Sequence, residues 1–349
     1  MRAAGDDRQD DRPAGVAVRR ARRPARVGVT IEDVAAAAGV SRQTVTRAMN
    51  DMEGISVATK TRVLAAAKEL NYRPSRFGRG LARAAHDTLG LVVSDLANPY
   101  YPEFAAATVR YAGELGWNVV LVDTLHAQDD LRVLADLARQ VDAVIGYLGS
   151  RERWADALSG MTVVAVDPAP DGLLPGTHAV RLDPRAALRE AAAHLAATGV
   201  RTAVVLDGGR RAVSERGRLI AAALRARGVE VGFAQAGDQD VEAARAATRG
   251  LIARGLPDAV FAWNDILAVG ALSTLTEHGV SVPGDVRLAG IDGLSLGTFV
   301  TPQLTTLAVD MHEVARQAVD LAVEALRSPP GPAPQTRRVE HVFVPRGSA

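Results

Sequence analysis

The chain has 349 residues, 48% of them hydrophobic and 23% charged, a globular composition with length for two or three domains. It contains no cysteine, which excludes disulfides, thiolate catalysis and Cys-ligated zinc or iron–sulfur centres. No apolar run reaches the ~18 residues of a membrane span, and the arginine-rich start lacks the apolar core of a secretory signal, so a cytoplasmic address is expected. The net charge of +1 conceals an asymmetry: residues 1–84 carry 17 Lys/Arg against 9 Asp/Glu, while residues 85–349 carry 24 against 31. A basic front on an acidic body is the layout of a nucleic-acid module joined to something else.

Residues 1–26 are charged, poor in large apolar residues and without periodicity, and read as a disordered basic tail. Arg19, Arg20, Arg22, Arg23 and Arg26 could add nonspecific phosphate contacts there; the alternative is a solvated tail with no role. From residue 27 to 74 the signals are helical. Thr30 can cap a first helix, with Asp33 completing a variant capping box, and Ser41 and Ser56 can cap two more. The helices would run over 31–38, 42–50 and 57–70. They share a small apolar set: Val34, Ala35, Val40, Val45, Met49, Val63, Leu64 and Leu70. Residues 75–86 form a linker.

From Thr88 the pattern changes. Apolar runs at 89–93, 117–122, 142–148, 162–166, 202–206, 229–234, 258–263 and 286–291 alternate with helical stretches such as 101–115, 185–197, 214–227 and 266–278. Val/Ala/Leu-rich strands with crossover helices mean parallel sheets covered on both faces. The alternation restarts after an irregular region at 167–179, which favours two subdomains: an N-subdomain of about 87–166 plus 309–330, and a C-subdomain of about 167–305.

Ala35, Gly39 and Val45 have the spacing of a helix-turn-helix. A small residue lets two helices approach, glycine makes the turn, and an apolar residue locks the second helix on the first. With TIEDVAAAAGVSRQTVTRAMN (30–50) and ISVATKTRVLAAAKELNYRP (55–74), the front module resembles the DNA-binding domain of the lactose-repressor (LacI) family of bacterial transcription regulators. The resemblance continues in family order through DTLGLVVSDLANPYY (87–101), FAWNDILAVGAL (261–272), VRLAGIDG (286–293), PQLTTL (302–307) and FVPRGS (343–348).

The resemblance implies that helix 42–50 enters the major groove. Arg42, Gln43 and Arg47 would contact bases, and Thr44, Thr46, Asn50, Ser56 and Thr59 would contact phosphates, although capping is the main role expected of Ser56. Arginine suits guanine and glutamine suits adenine through bidentate hydrogen bonds. Residues 74–82 match the family's hinge helix, so Arg76, Arg79 and Leu81 would lie at the minor groove, with Leu81 as an apolar wedge; the alternative is a flexible linker. Gly78 and Gly80 would weaken that helix.

A doubly wound body could also belong to an enzyme. The residues after the first strand, SDLANPYY, are not GxGxxG, and Lys60 and Lys68 are the only lysines, so the body has none for a phosphate loop or a Schiff base. The seven histidines show no metal-ligand spacing. The favoured reading is a type I periplasmic-binding-protein-like body with two doubly wound parallel-sheet subdomains behind an all-α helix-turn-helix domain. Ligands in such sheets sit beyond the carboxyl ends of strands. Ser94, Asp95, Asn98, Tyr100, Tyr101, Arg216, Asn264 and Asp292 match effector-binding positions, and Arg210 does so across a variable loop. Asp265 reads as a helix cap before Ile266. Gln239 stands where many relatives carry a stacking aromatic. The expected protein is a homodimeric repressor of double-stranded operator DNA. A small effector such as a sugar or nucleoside would control it, with no catalytic residue, cofactor, metal or membrane contact. The chain ends without a heptad extension, so no tetramerising helix is expected. The alternative is an α/β enzyme with an accessory DNA-binding domain.

Overall fold

The structure, a computed structural model, describes residues 31–49, 52, 54–70, 88–124, 130–148, 154–169, 173, 176–209, 212–327 and 333–349. The expected tail, the Thr30 cap, Asn50, Arg210 and the hinge residues Arg76, Gly78, Arg79, Gly80 and Leu81 lie outside them. The chain divides into two compact units after Ala85.

The first unit is built on α1 (Ile31–Ala38), α2 (Arg42–Met49) and α3 (Val57–Glu69). Val34, Ala35, Ala38, Val45, Ala48, Val63, Ala66 and Ala67 form its core. Gly39 has φ +63°, the left-handed conformation that closes α1 at little cost for a residue without Cβ. Val40 N donates to Ala35 O at 3.0 Å, and α2 follows at once. Leu64 departs from the expected core: it is 42% exposed. The buried positions of α3 are 63, 66 and 67, with Leu70 partly buried beyond it, and residue 64 falls about 100° off that stripe.

The second unit holds two six-stranded sheets. In chain order its elements are β1 (Thr88–Val93), α4 (Tyr100–Glu114), β2 (Asn118–Asp123), α5 (Asp130–Ala138), β3 (Ala143–Gly146), β4 (Thr162–Val166), β5 (His178–Asp183) and α6 (Arg185–Ala197), then β6 (Thr202–Asp207), α7 (Glu215–Arg225), β7 (Glu230–Gln235), α8 (Val241–Arg254), β8 (Ala259–Ala262), α9 (Asp265–Glu277), β9 (Arg287–Asp292), β10 (Thr305–Ala308), α10 (Met311–Arg327), β11 (Thr336–Glu340) and β12 (Val342–Val344). The first sheet runs β11-β5-β4-β3-β1-β2 and the second β12-β10-β9-β8-β6-β7. All neighbours are parallel except β10 and β12.

Both faces of each sheet are covered, as continuous apolar strands require. Leu89, Leu91 and Val93 pack with Phe104 and Val319 on one face of β1. Val92 packs with Leu134, Leu137 and Trp154 on the other. In the second lobe α8 and α9 approach closely at Gly270, where a Cβ would stand 2.7 Å from Ala244 Cβ and 2.8 Å from Val241 O.

The lobe boundaries differ from expectation. The region read as irregular at 167–179 leads into β5, and β5 pairs with β4 and β11 in the first sheet. The first lobe therefore continues through Asp183 rather than ending near 166. The chain crosses between lobes around Pro184, between β10 and α10, and at His341 between β11 and β12.

Candidate functional site

In the first unit, Ser41 Oγ accepts from Thr44 N at 3.1 Å and Ser56 Oγ accepts from Thr59 N at 3.2 Å, so both serines cap their helices. The hydroxyls of Thr44 and Thr59 lie 2.9 Å from those capping oxygens, and Thr46 Oγ1 donates to Arg42 O. Val45 and Ala48 are buried while Arg42 and Gln43 are exposed at the start of α2. Arg47 is half-buried one turn on. Arg42 stands 3.8 Å from Glu32, an exposed pair of little energetic weight.

In the second unit a cleft of about 440 Å³ is lined from both lobes. It takes Tyr147, Asp167 and Asp183 from the ends of β3, β4 and β5, and Trp263, Asn264 and Asp292 from the ends of β8 and β9. Carboxyl ends of parallel strands converge there because each crossover helix must start on that side. Of the residues expected from sequence, Asn98, Tyr100, Tyr101, Arg216, Asn264 and Asp292 line it, as does Gln239. Ser94 and Asp95 are not among the lining residues. The Ser94 hydroxyl instead meets Tyr101, and Asp95 Oδ1 accepts from Ala97 N in the loop after β1.

Arg216 is the centre of the cleft. Nη1 lies 3.4 Å from Asp292 Oδ1, and Nη2 lies 3.9 Å from Asp167 Oδ2 in the other lobe. Nη1 also donates to Trp263 O, and the guanidinium sits 4.3 Å above the Trp263 ring, a cation–π contact. Asp167 and Asp292 are the two non-glycine residues with positive φ among those described, at +44° and +116°. Strained backbone at both carboxylate partners of one arginine marks a site that holds its geometry at a cost. Burial pushes the Asp292 carboxyl up to about 8 against the pull of Arg216, with Asp265 and Asp167 adding to the rise. Asp167 is raised for the same first reason. Burial works against the charge of Arg216, but Asp292 and Asp167 outweigh it and hold the group above its ordinary value.

Tyr100, Tyr101 and Tyr147 form an edge-to-face cluster, with Tyr100 and Tyr147 hydroxyls 2.6 Å apart. Burial raises Tyr100 and Tyr147, so both stay neutral hydrogen-bonding groups. At the start of α9 the cap expected of Asp265 falls to Asn264, which also lines the cleft as expected. Asn264 caps the helix through Oδ1, which accepts from Leu267 N at 2.9 Å, while its NH2 remains as a donor. Asp265, expected as the cap, is instead fully buried and accepts from Thr306 Oγ1 and Leu294 N; burial lifts it to about 7. Asn264 already has the extended backbone of a cap.

Trp263, Tyr147, Asp167, Ser214 and His341 line the cleft without having been expected from sequence. Residues 293–297, GLSLG, have the GxSxG spacing of a hydrolase nucleophile turn, which corrects the expectation that this motif is absent. Ser295 is exposed at the start of a short 3-10 turn, and its hydroxyl donates to Glu103 Oε1 at 2.6 Å, a carboxylate of the other lobe rather than an imidazole base. Among the described residues no helix is long and apolar enough to cross a membrane.

A helix-turn-helix beside a two-lobed ligand-binding body defines a ligand-responsive DNA-binding regulator. Residues 30–75 match the model of bacterial regulatory proteins of the lacI family, and residues 192–349 match the periplasmic binding protein-like domain. The chain is 31% identical over 331 residues to the HTH-type transcriptional regulator GalR of Salmonella typhimurium, covering 90% of this chain and 93% of that protein. A LacI family regulator from Arthrobacter sp. FB24, solved in complex with lactose, is 34% identical with a TM-score of 0.68, covering 76% of this chain and 100% of that one. The lac repressor dimer bound to operator and the anti-inducer ONPF is 25% identical with a TM-score of 0.75, covering 92% and 99%. The chain belongs to the lacI family of bacterial regulatory proteins. It is a sequence-specific DNA-binding transcription regulator, not an enzyme with an accessory DNA-binding domain.

Proposed function

We propose that the chain acts in the cytoplasm as a homodimeric repressor whose operator affinity is set by a neutral polyhydroxylated metabolite, a sugar, held between the two lobes. The observation that carries this reading is the charge balance of the cleft. Asp167, Asp183, Glu215 and Asp292 face Arg181, Arg185, Arg216 and Arg338. Paired acids and guanidiniums hydrogen-bond vicinal hydroxyls well, and the four acids keep the excess positive charge small even where Asp292 holds its proton. The edges of the tyrosine cluster and Trp263 supply the apolar surface that sugar rings prefer.

On this reading residues 1–26 are a basic tail, 27–74 the DNA-binding domain and 75–86 the hinge. Arg42, Gln43 and Arg47 read bases. Thr44, Thr46, Asn50, Ser56 and Thr59 hold phosphates, and Arg76, Arg79 and Leu81 engage the minor groove. In the body Asn98, Tyr100, Tyr101, Arg216, Asn264 and Asp292 touch the effector.

The test selects bound duplexes from a random pool and then measures operator binding by fluorescence anisotropy with a panel of neutral sugars. One sugar is expected to change operator affinity. Asp292→Ala and Arg216→Ala should each abolish that change and retain operator binding without sugar, shifted in Arg216→Ala only as far as loss of its contact to Asp167 of the other lobe shifts it, since neither residue lies in the DNA-binding unit. Loss of operator binding in a folded variant would refute this division of labour.

A further inference from the structure

Among the described residues, the side chains buried without a hydrogen-bond partner are Trp154, His194 and His341. Trp154 sits in the apolar cluster behind the first sheet, and His194 lies beside Phe343. Only His341 lines the cleft. It is 4% exposed, and neither Nδ1 nor Nε2 makes a well-formed hydrogen bond to the protein.

His341 is the single residue between β11 of the first sheet and β12 of the second. Its backbone N donates to Asp183 O at 3.0 Å. The Asp183 carboxylate in turn holds Arg185 and Arg338. Two of the crossings between lobes are therefore pinned together at the level of this ring. The backbone around His341 is satisfied and fixed, while the ring nitrogens make no well-formed hydrogen bond, the Asp183 backbone being the polar group of the protein beside them. An unsatisfied buried polar group is costly, and a carbon side chain of similar size would fill the space without that cost.

We propose that the His341 imidazole is an effector-contacting group that hydrogen-bonds a ligand hydroxyl where the third connection passes between the lobes. The inference rests on the reading of the cleft as a sugar site. A neutral imidazole presents one N–H donor and one acceptor whichever tautomer it takes, and a hydroxyl can answer either. Burial and the nearby Arg216 charge hold the ring well below its ordinary value, at about 4, so it meets the ligand uncharged. That suits a hydroxyl better than a carboxylate or phosphate. The contact also places the ligand on a segment that moves when the lobes move, so occupancy is felt at the crossing itself.

The experiment compares the full chain with His341→Leu and His341→Gln by calorimetry with lactose, cellobiose and ribose, and by thermal melting without sugar. At least one sugar is expected to bind the parent. His341→Leu should weaken it about tenfold while melting no lower than the parent, because two unpartnered nitrogens are replaced by carbon. His341→Gln, which keeps a donor and an acceptor, should recover part of the affinity. In the parent labelled with 15N-histidine, saturating sugar should shift the His341 ring resonances, a readout independent of whether the variants fold. Unchanged affinity in His341→Leu, an affinity loss matched by a fall in melting temperature, or unmoved ring resonances would overturn the proposal. Failure of all three sugars to bind the parent would refute the sugar reading itself, and the assigned hydroxyl with it.

Discussion

Arg216 joins carboxylates of both lobes, and the ionisation of those carboxylates gives the protein a pH signature at the scale of single residues. Asp292 and Asp265 are raised to about 8 and about 7, burial being the first cause for each. Between pH 6.5 and 8 the folded chain holds protons on these groups that the unfolded chain has released. Stability must therefore fall as pH rises through that window, by about 2 kcal/mol if both act fully. The histidines His178 and His341 are lowered, chiefly by burial. Their effect has the opposite sign and dies out within about one pH unit above their ordinary value near 6.5, so it offsets only part of the fall at the start of the window. The ligand-free chain should melt a few degrees lower at pH 8 than at pH 6.5, and Asp292→Asn should flatten the slope. A flat parent profile would mean that Asp292 and Asp265 both stay ionised throughout. At this scale the sequence revealed residues that match a motif, such as Arg216 and Asp292. It hid Asp167, whose partner Arg216 lies far along the chain and on another lobe. Asp167 follows a recognisable apolar run and Tyr147 lies near the end of another, so the strand-end rule applied to every run finds them.

Elements were legible where the sequence pattern is continuous and obscure where a strand is completed by distant sequence. The runs feeding β1, β3, β4, β6, β8 and β9 are predominantly apolar, β9 with Arg287 at its start, and each marks its strand. β5 (HAVRLD) and β11 (TRRVE) carry charged residues, β11 because it is an edge strand; neither announces itself by hydropathy. Helix α7 shows how one hydroxyl can order a segment. Ser214 Oγ accepts from Gly217 N at 2.9 Å and from Trp263 Nε1 at 3.0 Å, and it donates to Asp207 Oδ1. Asp207 is fully buried and also accepts from Gly209 N and Ser214 N. The cap thus fixes the start of the helix that carries Arg216 and, through Trp263, the face on which Arg216 rests. Ser214→Ala removes a cap worth about 1 kcal/mol and strips the Trp263 N–H of its partner, for a total near 2–3 kcal/mol. Denaturant unfolding should show that loss, and sugar affinity should fall with it. A variant as stable as the parent would remove Ser214 from the role of organiser.

At the scale of the whole body, the two lobes are held together by few polar contacts, and this bears on how a ligand changes the molecule. Arg216 reaches Asp167 across the cleft. Outside the cleft lining, Glu103 at the start of α4 accepts from Ser295 N at 3.1 Å and from Ser295 Oγ at 2.6 Å. Ile266 and Leu294 of the second lobe join the apolar cluster of the first. Glu103 is not among the residues lining the cleft, so its substitution alters the latched arrangement of the lobes without altering a ligand contact. Glu103→Ala should therefore weaken binding of an effective sugar by roughly three- to tenfold, the scale of an exposed hydrogen bond. Linkage then fixes a sign that does not depend on whether the sugar releases or strengthens operator binding. The sugar favours the latched form and the substitution disfavours it, so the two must move operator affinity in opposite directions. If the sugar weakens operator binding, Glu103→Ala without sugar should strengthen it; if the sugar strengthens it, the variant should weaken it. Anisotropy with the selected operator, with and without sugar, reads both effects. Movement in the same direction would mean that latching of the lobes is not the equilibrium that couples effector to DNA.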